Sequence, residues 1–266
     1  MIGPLSYTDL LLLTVVTVQA TIHAYIPDAQ MKAFFYMLPF PFTAAALTIN
    51  DVVDSTNLWS LLLLLAHAHN VRILHTRLKL AIVPSIIASL LICVGLGFVM
   101  APTLMFVQNQ YSLNMVFWLS CAGILALSLI IQRLMPIRDE PSHRTQAPLP
   151  VKIMTVAAVV LVLILLKKHL GGFITAFPMV GAVAAFEARR SLWTMSRQVS
   201  VLLPALAALV ATVHWAQISL EWPLWQALGA GWVVYLPLIL LCTPALRKRI
   251  LNRREQAEME AMPAAD

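Results

Sequence analysis

Apolar positions along this chain come in long unbroken runs separated by short polar clusters. They show neither the strict alternation of a half-buried strand nor the one-sided stripe of a surface helix. Runs of roughly 20 residues match the roughly 30 Å hydrocarbon core of a bilayer. Backbone donors and acceptors in lipid must be paired within the segment or in a closed barrel, so runs without alternation predict helices. About eight spans follow. Residues 9–25, 32–50, 80–100 and 115–131 form a first half, and residues 153–166, 171–186, 199–218 and 224–243 a second. Residues 133–151 between them carry Pro136, Pro141, Pro148 and Pro150 among mixed charges, the composition of a linker.

One segment does not fit a span. Residues 58–66 are strongly apolar but too few to cross, and His67, His69, Asn70, Arg72, His75, Arg77 and Lys79 follow directly. The pattern predicts an interfacial helix over 57–79, lying on the cytoplasmic leaflet, with a strained ninth span as the alternative. The fold expected is thus all-α and membrane-embedded. A first four-helix half occupies 1–132, a second 152–246, and a basic cytoplasmic tail 247–266.

Composition strengthens this picture. Hydrophobic residues make up 60% of the 266 and charged ones 11%, with a mean hydropathy of +0.83, whereas soluble domains carry about 25% charged residues. The net charge of +6 does not point to nucleic acid, because Lys and Arg sit between apolar runs and in the tail, where they report topology and meet anionic lipid. Placing both termini in the cytoplasm puts nearly all of them inside, as expected for a bacterial inner-membrane protein. The exceptions are Lys32, Lys167 and Lys168, which then fall outside. The N-terminus lacks a basic leader region and reads as a mature helix. Cys93, Cys121 and Cys242 lie within spans and form no disulfide framework.

Two stretches share a design. Lys32 leads into Phe40-Pro41, and Lys167-Lys168-His169 leads through Gly171-Gly172 into Phe177-Pro178. Pro84 and Pro204 recur in the same order further on. Aligned on these landmarks, the halves predict two parallel repeats related by an axis along the membrane normal. From residue 152 to 241 the second half resembles the GlpM family of small four-helix bacterial inner-membrane proteins. The carriers are Leu166-Lys167-Lys168, Gly171-Gly172, Phe177-Pro178 and Arg189-Arg190. The first half departs, with Asp28 and Lys32 in place of the lysine pair. The resemblance implies a membrane fold and a transport-related role, and no mechanism.

Candidate chemistry centres on those hairpins. Residues 153–166 are short for a span, so Lys167 and Lys168 are drawn to the boundary. There they either snorkel or, with Lys32 and His169, hold an anion. Pro41 and Pro178 each remove an amide and free the carbonyl four residues back, at Met37 and Ile174, giving either a plain kink or a ligand-binding break. Gly171, Gly172 and Gly181 suit close helix packing. His67, His69 and His75 have no Cys or carboxylate at ligand spacing, and His67 and His69 point to different helix faces, so neither metal nor cofactor is expected. Trp222, Trp225 and Trp232 read as interface anchors. No Walker loop, nucleophile elbow or zinc helix appears, and an enzyme is disfavoured; the residual enzymatic reading is lipid modification through the three histidines.

The leading expectation is a carrier or flippase for a small anionic metabolite or a lipid head group, bound at Lys32, Lys167, Lys168, His169, Pro41 and Pro178. The alternative is a non-transporting scaffold or accessory subunit of an envelope, lipid or polysaccharide pathway. Membrane lipids are partners in either case, and a second copy or a partner membrane protein is compatible with both.

Overall fold

The computed structural model describes residues 7–26, 29–136, 138, 140, 150, 154, 173, 175, 177, 178 and 180–242. These include α1 (Tyr7–Tyr25), α2 (Ala29–Met37), α3 (Phe40–Ile49), α4 (Ser55–Thr76), α5 (Ile82–Gln110) and α6 (Leu113–Leu134). After the linker come α7 (Gly181–Glu187), α8 (Leu192–Ser219) and α9 (Leu224–Cys242). Among the described residues there is no strand. Among the described residues, five stretches are long and apolar enough to cross a membrane: Met31–Ile49, Ile82–Gln110, Leu113–Leu134, Leu192–Ser219 and Leu224–Leu241.

Helix α4 lies inside the bundle. It packs against α5, α6 and α8, and half of its 22 residues are buried. At about 1.5 Å per residue it is roughly 33 Å long. Asp54 starts it, accepting from the Thr56 amide at 2.8 Å while the Asn57 side chain accepts from the Asp54 amide. This corrects the interfacial helix expected over 57–79, since a helix on a leaflet cannot be enclosed by three others. Its polar residues are tolerated because neighbouring helices answer them. Ser89 Oγ on α5 lies 2.9 Å from His67 Nδ1, Ser196 on α8 donates to Ala68 O at 2.9 Å, and His69 Nε2 lies 3.3 Å from Ser200 Oγ.

Side-chain bonds fix the directions of the helices. Trp59 donates to Ser120, Cys93 to Leu63 O, and Gln108 to Ser55. So α6 runs with α4 while α5 runs against it. His214 and Gln217 of α8 reach the backbone of Val53, just ahead of α4, whereas Ser196 meets Ala68; α8 is therefore antiparallel to α4. Thr48 on α3 donates to Thr8 O, which sets the start of α1 at the end of the bundle that also holds Asp51, Asp54, Tyr111 and Glu221. At the opposite end stand Arg77, Lys79, Arg133, Arg138, Arg189, Arg190 and Arg197. Every described Lys and Arg lies at or towards this second, basic end. The start of α1 and the end of α9 fall at opposite ends of the bundle.

Several boundaries shift from the sequence reading. Span 32–50 is two helices broken at Leu38 and Pro39, and in the span expected at 171–186 the described Phe177 and Pro178 lie outside α-helix while α7 begins at Gly181. Helix α5 continues through Pro102 to Gln110 where an end near residue 100 is expected. Residues 101–114 carry no charge, and a proline-interrupted helix is admissible where the neighbouring backbone stays paired. The span 153–166 and the tail 247–266 lie outside the described residues, Met154 excepted.

Candidate functional site

The α2–α3 break is built from Leu38-Pro39-Phe40-Pro41. Pro41 has no amide to give Met37 O, and Tyr235 on α9 supplies the missing donor from its hydroxyl at 2.8 Å. Gln19 on α1 donates from Nε2 to Phe35 O at 2.7 Å and to Leu38 O at 3.2 Å. Three carbonyls around the gap thus bond to side chains of two other helices. Trp232, about 12 Å along α9 from its start, donates to Thr43 at 3.0 Å and packs on Phe40 with centroids 4.9 Å apart. It braces the break and is no interface anchor, while Trp225 is exposed as anchors are.

The second break lies alongside the first and runs the other way. Lys32 meets Glu187, Tyr36 meets Gly181, and Pro39, Pro41 and Phe42 share a cavity with Thr175, Phe177 and Pro178. Rising numbers in one segment pair with falling numbers in the other. The two Phe-Pro landmarks therefore run antiparallel and not in the parallel sense expected from the sequence. Further pairings agree with an inverted order. The neighbours α4 and α5 correspond to α8 and α9, and contact of α5 with α7 corresponds to contact of α9 with α3.

The cavity between the breaks is small, about 40 Å³, and apolar in most of its lining. Tyr36 and Thr175 supply hydroxyls. Thr175 also accepts from Asn57 Nδ2 at 3.1 Å. The Tyr36 hydroxyl and His67 Nε2 are buried and meet no hydrogen-bond partner among the described residues. Both crowd Gly181, where an added Cβ would lie 2.8 Å from His67 Cδ2, 2.8 Å from Pro178 Cβ and 2.9 Å from the Tyr36 hydroxyl. Glycine here permits the close approach of α7 to α2 and α4.

Of the expected site residues, Pro41 and Pro178 meet at this cavity. Lys32 does not line it. It lies one turn before Tyr36 on the same face of α2, 1% exposed, and its Nζ donates to Glu187 O at 2.9 Å and stands 4.0 Å from the Glu187 carboxylate. Lys32 therefore belongs towards the basic end of the bundle. An ammonium on the last carbonyls of α7 also suits the helix dipole. Removing one member of such a buried pair costs about 3–5 kcal/mol. Lys167, Lys168, His169, Gly171 and Gly172 lie outside the described residues. His67 sits in the interior, not at a leaflet, and faces away from His69; among the described residues no group of Cys, His and carboxylates could hold a metal.

The sequence reading missed Gln19, Tyr36, Thr175 and Tyr235. Gln19 had a readable signal, as a lone amide inside an apolar span. Tyr235 had none, since a tyrosine in a span usually sits at an interface. No protein-family model, no curated protein and no solved structure matches this chain. The resemblance of the second half to the GlpM family gains no support from these comparisons.

Proposed function

We propose that this chain is a multi-pass membrane carrier or flippase for an anionic metabolite or lipid head group, bound where the two broken segments cross. The observation that carries the reading is that two antiparallel Phe-Pro breaks line one cavity. Interrupted helices meeting at the repeat interface are how many secondary carriers expose backbone polar groups to a substrate. With the basic end in the cytoplasm, as the positive-inside rule directs, α1 starts on the outer side and α9 ends inside. Lys32 and Glu187 then separate the cavity from the cytoplasm. Lys167, Lys168 and His169 remain candidates for the outer approach, and a bacterial inner membrane remains the proposed location.

Counterflow in proteoliposomes tests the reading: labelled anions should exchange across the membrane, and Tyr36→Phe and Lys167→Ala/Lys168→Ala variants should slow the exchange. Exchange of no labelled anion, with those variants leaving the cellular phenotype intact, would sink it. One observation favours the second reading, a non-transporting scaffold or accessory subunit. The cavity is too small for a metabolite or head group as it stands, having room for only a few water molecules. Stable co-purification with a partner complex whose loss reproduces the phenotype would decide for that alternative.

A further inference from the structure

We propose that Arg72, Arg77 and Arg138, gathered around Trp193 at the basic end of the bundle, form a binding site for a phosphate group. The site is separate from the cavity between the breaks, and it stands whether or not the chain is a carrier.

Trp193 brings the cations together. The guanidinium carbons of Arg138 and Arg72 lie 3.6 Å and 4.9 Å from its ring centre, so they stand within about 8.5 Å of each other. The indole is itself fixed, donating to Pro136 O at 2.9 Å, which joins the start of the linker to the start of α8. Arg77 closes α4, and the charges of Arg77 and Arg138 both repel that of Arg72. Among the described residues none of the three arginines pairs with a carboxylate. Glu140, two positions from Arg138, accepts from the Thr194 amide at 2.7 Å. Three cations assembled with no acid between them are an arrangement that an anion relieves.

Arg72 is also oriented. Ser200 donates to Ser196 O at 3.2 Å, so its oxygen accepts from His69 Nε2 at 3.3 Å. His69 Nδ1 is then the acceptor for Arg72 Nη2 at 3.4 Å, and one arm of the guanidinium is held. Arg72 Nε is buried and meets no acceptor among the described residues. Planar guanidinium forks suit a group that presents several oxygens on one centre. A carboxylate brings one negative charge against three positive ones, whereas a phosphate monoester brings about 1.5 to 2 with three acceptor oxygens. Such a group arrives on an anionic lipid, whose head group settles in basic pockets between helices on the cytoplasmic side, or on a soluble phosphate compound.

The test uses the full chain purified in an uncharged detergent at low salt. Short-chain phosphatidic acid and inorganic phosphate are the probes, and short-chain phosphatidylcholine is the lipid control. At least one probe should raise the thermal transition and slow tryptic cleavage at Arg138, and phosphatidylcholine should do neither. A response to phosphatidic acid alone assigns the phosphate of a lipid head group; a response to inorganic phosphate assigns the phosphate group whatever carries it. Arg72→Gln/Arg138→Gln should weaken binding of the active probe at least about tenfold. Arg72→Lys, which keeps the charge and loses the fork, should weaken it as well. Arg133→Gln/Arg190→Gln removes as much charge from the same end and should leave binding unchanged. Arg77→Gln and Arg138→Gln, made singly at exposed side chains, carry the test should changes at Arg72 unfold the chain, and each should weaken binding. Binding of neither probe, or equal losses in the two double variants, overturns the site.

Discussion

Single side chains decide whether the interrupted segments can sit side by side. Gly181→Ala places a methyl within 3 Å of three groups on three sides, and overpacking of that kind costs about 1–3 kcal/mol. The thermal transition in detergent should fall clearly, whereas Gly95→Ala and Gly123→Ala, with nothing within 4 Å of the new carbon, should leave it unmoved. Tyr235→Phe removes only an oxygen, but it strands Met37 O inside the bundle. A loss of about 1–3 kcal/mol is expected, and a wild-type melting curve for that variant would show that water replaces the hydroxyl. Gly181 was visible in the sequence as a packing glycine. The identity of what it packs against was not, because His67 and Tyr36 approach it from 114 and 145 positions away.

At the level of helices, the instructive element is α4. Its sequence turns polar after Ala66, and against lipid such a segment is expensive. The expense is reduced when Ser89, Ser196 and Ser200 of adjacent helices face it. A sequence records the polarity of a helix but not the polarity of its neighbours, so lipid was assumed where protein stands. The helices expected at 9–25, 115–131 and 224–243 were legible to within a few residues, observed as Tyr7–Tyr25, Leu113–Leu134 and Leu224–Cys242. The α4 start carries its own prediction: Asp54→Ala removes the cap and should lower stability by about 0.5–2 kcal/mol. The start of α8 carries another. Trp193 stacks under Arg138 at 3.6 Å and Arg72 at 4.9 Å and donates to Pro136 O at 2.9 Å. Trp193→Ala should release the beginning of the linker and speed its cleavage by trypsin at Arg138, with cleavage elsewhere unchanged.

Across the whole molecule, charge and direction agree. The described basic residues gather at one end and four of the described acids, Asp9, Asp51, Asp54 and Glu221, at the other. Single cysteines at Tyr7, Asp51 and Tyr111 should therefore react with an impermeant reagent from one side of the membrane, and those at Leu78, Arg138 and Arg190 from the opposite side. Reaction of position 7 with the second group would refute the helix directions derived above. An even number of spans predicted both termini together, whereas the start of α1 and the end of α9 lie at opposite ends of the bundle. The candidate site was half legible for a related reason. Two prolines announced two breaks, but their relative direction is set by contacts between residues far apart in the chain, such as Tyr36 with Gly181 and Lys32 with Glu187.

The carbonyls left open by Pro41 and its neighbours are held by Gln19 and Tyr235, two side chains that turn about single bonds. A continuous helix would have to rupture its own backbone ladder to bend at this depth. Here the amide and the phenol can follow the carbonyls as α2 swings against α3. The joint is in effect lubricated, and the two halves of that crossing can change their angle with no main-chain bond broken.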